Sequence, residues 1–446
     1  MNTEDLDIMN NVLKYSKELG ADNAEVLLAT GESKAVEFRL GKVEALESSS
    51  NGYELGLTIH LGKKTANVSS SNKSDSDLRK MTERCFEMAK VSPENIYSGI
   101  ASSDKVAKDW KKIDMLDDYI PSTQKLLEMS QETEDSARSV KGVSNSDGAS
   151  ASWGKSNFAM LSSNGFYGSF SGSMFSLSVS VVAGSSSNME TDYDYSSKAF
   201  FEDLRNPNII GLTAGERAVK KLNSKKCKTG KFPVIFDKRV SKSIASHIAS
   251  AINGSAVANG TSLFKDKMEE KVLNSSITVV DDPDLYRGLG SSPFDGEGLA
   301  KTKLNMIENG ILKNWLLDLS SSRQLEIESN ANAIRGIGSN AYPGPSNFMI
   351  LPSKNKFETL CEDVKEGLLI TELIGSSVNM ITGDYSRGAS GFWIDNGKIT
   401  YPVSEITIAG NLKEMFLNMI VSDDIDLSSR ISAPSIRIDS MIIAGN

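Results

Sequence analysis

The sequence predicts an α+β fold, and three observations carry that prediction. An amphipathic helical repeat opens the chain, alternating apolar and polar runs with Gly-containing breaks follow it, and a second helix-then-strand succession precedes a long β-rich C-terminal part. A length of 446 residues is enough for two or three domains. The patterns divide the chain into an N-terminal α+β domain over 1–100, a middle helix-plus-strand segment over 101–229 that ends in a basic linker, and a larger β-rich domain over 230–446.

Taken in order, Leu6, Met9, Val12, Leu13 and Ser16 recur at near-helical spacing between Asp5 and Leu19, and Gly20 supplies the stop. Four short runs, Ala24–Leu28, Ala35–Arg39, Val43–Leu46 and Leu55–Ile59, then read as an antiparallel meander. Ser74 or Asp75 caps a second helix with Leu78, Met81, Cys85 and Met88 on one face, and the domain ends near Pro93. A helix is expected over Thr123–Ala137, followed by Ser/Gly-rich strands over Val140–Gly184 with a turn at Asn164-Gly165. Ser162-Ser163-Asn164-Gly165-Phe166 echoes Ser49-Ser50-Asn51-Gly52-Tyr53, which suggests a duplicated α-then-β unit. The helix Ile209–Leu222 runs into Lys220, Lys221, Lys225, Lys226, Lys228 and Lys231, read as a solvated linker and not as an anion patch. Beyond it, Pro233–Phe236 opens the β-rich domain, while Glu308-Asn309-Gly310 and Asp395-Asn396-Gly397 are hairpin turns. Leu412–Val421 reads as a helix with Met415, Phe416, Met419 and Ile420 inward, and Ile436–Ile443 as a closing strand.

Charge and composition exclude several roles. Lys and Arg number 49 against 58 Asp and Glu, so the chain carries no general field for a phosphate backbone, and nucleic acid is not an expected partner. Met1 to Asp7 is acidic where a secretory signal would be basic, and no apolar run reaches membrane-spanning length, so no membrane role and a cytoplasmic location are expected. Cys85, Cys227 and Cys361 are scattered, which suits reduced thiols and neither a disulfide framework nor a thiolate zinc site. With only His60 and His247, any mechanism needing three histidines is excluded.

No self-sufficient catalytic set emerges from spacing. His247 lies in a helical stretch whose neighbours at three and four positions are Ser243, Ile244, Ser250 and Ala251, so it reads as structural, as does His60 beside its Gly-Lys-Lys turn. Ser386 in Gly383-Asp384-Tyr385-Ser386-Arg387-Gly388 departs from the G-x-S-x-G elbow, and both histidines precede it. Gly336-Ile337-Gly338-Ser339-Asn340-Ala341 is a loop, because Tyr342-Pro343-Gly344-Pro345 forbids the helix a dinucleotide fingerprint needs. Asp295 and Glu297, flanked by Gly296 and Gly298, could form an acid/base or cation pair, but a solvated turn is the reading preferred here.

Three long segments resemble hallmark motifs of the TldD/PmbA family. They are Leu285-Tyr286-Arg287-Gly288-Leu289-Gly290-Ser291-Ser292-Pro293-Phe294-Asp295-Gly296-Glu297-Gly298, Gly383 to Trp393, and Tyr401-Pro402-Val403-Ser404-Glu405-Ile406-Thr407-Ile408-Ala409-Gly410-Asn411. The PmbA branch, also called TldE, is the nearer, and the likeness extends upstream through Asp192–Ser197, Ser92-Pro93-Glu94 and the first meander. It implies a cytoplasmic metallopeptidase assembly for small or unfolded peptides, in which a TldD-type subunit carries a His-Glu-x-x-x-His zinc helix and a later cysteine ligand. An older name for PmbA proteins is modulator of DNA gyrase. With Gly260-Thr261-Ser262-Leu263-Phe264 as the shared anchor, the two histidines fall at Ala245 and Ser250, the glutamate at Ser246 and the cysteine near Ala433.

The resemblance therefore implies no catalytic residue and no metal in this chain, with a degenerate zinc helix in the C-terminal domain and zinc in a TldD-type partner. Gly383, Asp384, Tyr385 and Ser386 are candidates for the wall of a peptide chamber. Two alternatives stand beside this reading. One is a self-sufficient metal-dependent peptidase using Asp295, Glu297, Asp384 and His247, and the other a regulatory protein that binds DNA gyrase.

Overall fold

The computed structural model describes residues 3–186 and 188–445, so Met1 and Asn2 of the acidic N-terminus lie outside the described residues, as do the side chains of 49–51. The N-terminal half is a helix–three strands–helix succession made twice. The first copy is α1 (Thr3–Glu18), β1 (Asn23–Arg39), β2 (Lys42–Leu61), β3 (Lys64–Ser70) and α2 (Asp75–Val91); the second is α3 (Thr123–Ser139), β4 (Val143–Ser162), β5 (Tyr167–Ser185), β6 (Asn188–Lys198) and α4 (Pro207–Lys220). β1 and β4 pair antiparallel from Glu25↔Ser162 to Phe38↔Ala149, so the two copies share one six-stranded sheet of order β3-β2-β1-β4-β5-β6.

Alternation along the strands decides what each face buries. Val26 and Leu28 of β1 meet Met9 and Val12 of α1 and Leu78 and Cys85 of α2, and farther along Val36 meets Leu126 of α3 and Ile210 of α4. Leu27, between them, points to the other face and packs with Phe166 and Phe294, which ties the sheet to the C-terminal half.

Several local readings change. The four predicted runs of the first meander are two strands, because Gly31 lies inside β1 and Gly52 inside β2, where they pair with each other. The expected Ser49–Tyr53 turn is thus mid-strand, whereas Asn164-Gly165 does turn, between β4 and β5. Ser74 caps α2 by accepting from the Asp77 N–H at 3.3 Å, but Met88 faces outward at 39% exposure and Ala89 takes the inner position.

The C-terminal half begins with β7 (Gly230–Phe236), α5 (Lys238–Ala251) and α6 (Gly254–Ala258). It continues through β8 (Val279–Asp281), β9 (Leu304–Glu308), β10 (Ile311–Leu312), α7 (Leu319–Gln324), β11 (Ala333–Ile334), β12 (Tyr342–Pro343), β13 (Phe348–Ile350) and α8 (Phe357–Glu362). It ends with β14 (Glu366–Val378), β15 (Asp384–Asp395), β16 (Lys398–Asn411), α9 (Leu412–Asn418), β17 (Met419–Val421), β18 (Ile431–Ser432) and β19 (Ile436–Ala444). The predicted helix Leu412–Val421 is cut short at Asn418, because Met419–Val421 pairs with β19 instead. Both predicted Asn-Gly hairpins are present, with φ of 49° and 80° at Asn309-Gly310 and 47° and 77° at Asn396-Gly397, as two-residue loops that match strand twist require.

The larger C-terminal sheet runs β16-β15-β14-β7-β19-β17, and a further pairing of β16 with β19 closes five of these strands into a ring. A smaller sheet, β10-β9-β8-β13-β18, lies across from it. Between them α5 buries Ile244, Ala245, Ile248, Ala251 and the adjoining Ile252 in one core with Phe236, Phe348 and Ile370. Among the described residues no helix is long and apolar enough to cross a membrane.

Candidate functional site

The aligned positions of the zinc motif lie on and beside α5. Asp237 caps this helix by accepting from the Arg239 N–H at 2.9 Å, and an apolar stripe at Ile244, Ile248 and Ala251 fixes which face turns inward. Ala245 is on that inner face with 0% exposure. Ser246 is half-buried and its hydroxyl donates to the Lys242 carbonyl at 2.9 Å; Ser250 is exposed and donates to the Ser246 carbonyl at 2.9 Å. Ala433, buried, accepts at its carbonyl from Ser241 Oγ at 3.2 Å, one turn before Ala245. The structure therefore gathers Ala245, Ser246 and Ala433 near one helix while Ser250 looks elsewhere. Two methyl groups and two neutral hydroxyls are not the imidazole, thiolate or carboxylate donors that zinc takes, so these residues do not fit the metal.

Gly383 immediately precedes β15, and Asp384, Tyr385 and Ser386 are its first three residues, paired with β16 beside the same helix. Asp384 is exposed and accepts from Thr382 Oγ1 at 2.7 Å, whereas Tyr385 is 2% exposed with its ring edge-on to His247 at 5.9 Å between centroids. Gly383 has a φ of 90° and Ser386 is half-buried in the ladder opposite Ala409. Burial, and then the Arg387 guanidinium, push the His247 imidazole down to about 4, so it is neutral at neutral pH; its Nε2 has no hydrogen-bond partner. Burial pushes Tyr385 up to about 12.

Sequence reasoning missed the cavity on the outer flank of α5. It has a volume of about 810 Å³ and is lined by Lys221, Arg239, Lys242, Arg387 and Arg430, with Glu372 as its carboxylate. The cations come from four separate places in the chain, with Arg239 and Lys242 about one turn apart on α5, and only Lys221 and Arg387 fall in segments that the sequence singles out. Lys221, expected to be solvated, is buried and bridges Asp192 and Glu372 at 2.9 Å each, so that part of the linker reading is corrected; Lys220, Lys225, Lys226, Lys228 and Lys231 are exposed.

Asp295 and Glu297 occupy a different place. Their turn is closed by a bridge between Phe294 and Ala300, but Asp295 in it is buried and Glu297 half-buried, so it is not a solvated turn. Asp295 Oδ1 accepts from the Glu297 and Leu299 N–H groups at 2.9 Å each, and Glu297 Oε2 accepts from the Leu319 N–H at 2.8 Å. Burial raises both carboxyls above their usual range, and for Glu297 the negative neighbours Asp295 and Asp318 add to it. A cavity of about 380 Å³ beside them is shared with Glu25, His60 and Arg335. Here Arg335 Nη1 meets Glu25 Oε2 at 2.9 Å, and His60 Nε2 lies 3.5 Å from the same oxygen. Among the described residues no three His, Cys, Asp or Glu side chains are grouped to hold a metal, so Asp295, Glu297, Asp384 and His247 are not assembled as a ligand set.

Comparison with known proteins places this architecture. Sequence-family models match residues 24–89 as "PmbA/TldA metallopeptidase domain 1", 117–222 as the central domain and 229–445 as the C-terminal domain. "Metalloprotease PmbA" of Escherichia coli O157:H7 is 33% identical over 445 residues, covering 98% of this chain and 96% of its own. A Bacteroides thetaiotaomicron crystal structure described as a modulator of DNA gyrase shares the fold with a TM-score of 0.92 at 24% identity, with both chains fully covered. TldE from Thermococcus kodakarensis shares it at 0.85 and 20%, covering 98% of this chain and 100% of the other.

Proposed function

Because the chain belongs to the PmbA/TldD metallopeptidase family, we propose that it is a TldE-like subunit that holds no zinc itself and pairs in the cytoplasm with a TldD-type, zinc-bearing subunit around a small or unfolded peptide. The observation that carries this reading is the side-chain chemistry at Ala245, Ser246, Ser250 and Ala433, where nothing can coordinate zinc or take a proton from water. The flank of α5 adds a second argument. Lys242 and Arg387 border the cavity that Ser246 lines, and a divalent cation brought among them would be repelled.

What remains for this chain is to bind and enclose. Past Ile370, β14 has no strand partner on its β7 side among the described residues, so its backbone groups there can pair with an extended peptide. Such pairing reads main chain more than side chains, which suits a subunit serving unfolded substrates. A self-sufficient peptidase finds no assembled ligand set among the described residues, and direct binding to DNA is opposed by a net charge of -9.

Native mass spectrometry of the chain alone and mixed with a TldD-type subunit from the same genome tests the reading. A mixed complex with zinc confined to the sister chain is expected. Stoichiometric zinc on this chain alone, without association, overturns it.

A further inference from the structure

We propose that the cavity beside α5 is a binding site for a carboxylate of a short peptide, held by Lys242, Arg387 and Arg430. The inference rests on the reading of this chain as a subunit that contacts peptide, and it adds the chemistry by which part of that peptide is chosen.

The argument begins with charge balance. Of the five cations on the wall, Lys221 and Arg239 are already neutralised: Lys221 by Asp192 and Glu372 at 2.9 Å, and Arg239 by Asp192 at 2.7 Å. The other three have no carboxylate within ion-pair distance among the described residues. Lys242 Nζ has only the Tyr195 hydroxyl at 3.2 Å and that ring's face at 5.6 Å; Arg430 Nη2 donates to the Pro345 carbonyl at 2.9 Å. Arg387 makes no ion pair, and its Nε is buried without a hydrogen-bond partner. Buried guanidinium N–H groups are costly to leave unmade, and a ligand acceptor supplies what the protein does not. Thr371 Oγ1, on the same wall, is buried and unpartnered as well.

The shape then narrows the anion. At about 810 Å³ the cavity is far larger than a small inorganic ion and lies within the range of pockets that enclose an organic ligand. Val240, Leu373, Ile431 and the Tyr193 ring give it apolar surface beside the cations. A group that is charged at one end and apolar behind it fits that wall, and a peptide carboxylate is such a group. Guanidinium and carboxylate are complementary in plane and in spacing of donors and acceptors. Thr371, Glu372 and Leu373 also belong to the part of β14 that, among the described residues, has no strand on its β7 side while β15 covers the other, so a peptide paired there would enter the cavity directly. The carboxylate can be a chain terminus or an Asp or Glu side chain, and the probes separate the two.

The test is calorimetric titration of the full chain with acetyl-tetraalanine bearing a free carboxylate, with its C-terminal amide, with an amide carrying one central glutamate, and with inorganic phosphate. The free acid is expected to bind at least about tenfold more tightly than the plain amide, with affinity falling as salt is added. Binding of the glutamate-bearing amide at the strength of the acid assigns the site to any carboxylate; its failure assigns the site to the chain terminus. Arg387→Met and Lys242→Met should each remove most of the preference for the acid, with circular dichroism reporting the fold. Lys242 lies on the helix flank, so its variant serves if the Arg387 variant does not fold. Equal affinity for acid and amide, or phosphate binding more tightly than every peptide, overturns the proposal. A wild-type chain that forms the complex with the TldD-type subunit but shows no carboxylate preference sinks the cavity assignment alone; a wild-type chain that shows the preference but forms no complex sinks the subunit reading alone.

Discussion

Replacing Arg335 by Met should cost this protein about 3–5 kcal/mol at neutral pH, the range for removing one partner of a buried ion pair. Arg335 and Glu25 are 310 positions apart in the chain and join the first sheet to the C-terminal half; their side chains are 3% and 6% exposed, with Nη1 and Oε2 at 2.9 Å. Burial opposes ionisation of Glu25, yet Arg335 and then His60 outweigh it and hold the carboxyl at about 2 against an ordinary 4.5. That difference corresponds to about 3 kcal/mol. Since the folded value is depressed, the contribution is complete above the unfolded value of 4.5 and is lost as pH falls through about 2. In the Met variant burial acts against Glu25 with only His60 left, so the sign reverses: acidification from pH 7 towards 5 relieves a buried charge and narrows the gap to wild type. Adding Glu25→Gln to Arg335→Met should recover much of the loss. Urea unfolding of the wild type, the Arg335→Met and Glu25→Gln single variants and the double variant at pH 7 and pH 5, with hydrogen exchange at β1 and β2, reads all of this. A loss below about 1 kcal/mol for the single variant, or no recovery in the double, would refute the assigned role of the pair.

Further expectations follow from individual contacts. A Cβ on Gly391 would collide with the Leu369 carbonyl oxygen across the β14–β15 ladder, so Gly391→Ala should destabilise by about 2–3 kcal/mol or more, and an unchanged thermal midpoint would contradict that geometry. Glu297 has its pKa raised by burial and by Asp295, so its stabilising contribution is complete below the ordinary carboxylate value and fades as pH rises through the folded one. Glu297→Gln keeps an acceptor for the Leu319 N–H and should gain on wild type in melting temperature between pH 5 and pH 8.5; a gap constant with pH counts against it. Cys85, Cys227 and Cys361 are free and buried, and burial raises all three thiols, Cys85 to about 12. A thiol reagent should therefore leave the native chain unmodified and label three sites in denaturant, and rapid native labelling would disprove their burial.

How far the sequence could be read depended on the range of the interaction. Helices announced themselves through local periodicity, and the Asn-Gly hairpins through a backbone requirement confined to two residues, so both were legible. Gly31 misled because a strand glycine and a turn glycine look alike in sequence. A Cβ there would meet the Lys155 carbonyl oxygen at 2.7 Å, so the residue is needed for close approach of β1 to β4, not for a bend. The end of α9 was misread for a different reason: Met419 and Ile420 continue an apolar period that suits either state, and pairing with β19 decides for strand. Nor could the polarity of Phe294–Gly298 reveal its burial, which depends on packing against β4 and α7 from elsewhere in the chain. The positions of the zinc motif could be found by alignment to a motif, but the cationic cavity beside them is built from residues scattered between Thr191 and Ile431 and has no local signature.

That contrast bears on whether the zinc motif could be restored. Ala245 and Ser250 are five residues apart, and on a regular α-helix that is 140° around the axis beyond one full turn, enough to send them to different sides. Here α5 is α-helical from Lys238 to Ala251, and the divergence is visible: Ala245 lies in the core, Ser246 lines the cationic cavity, and Ser250 opens on a depression with Asn253, Thr261 and Asn379. Two ligands at that spacing converge only where the helix widens locally toward five residues per hydrogen-bonded turn. A methyl buried at 245 leaves no room for an imidazole without displacing Ile244 and Ile248, and Arg387 and Lys242 oppose a dication beside position 246. The triple variant Ala245→His, Ser246→Glu, Ser250→His is therefore expected to bind zinc no better than wild type and to melt at a lower temperature. Competition with a chromophoric chelator measures the first and calorimetry the second. Stoichiometric, tightly held zinc in a stable triple variant would mean that α5 can still adopt the widened geometry, and that side-chain loss alone separates this helix from a metal-binding one.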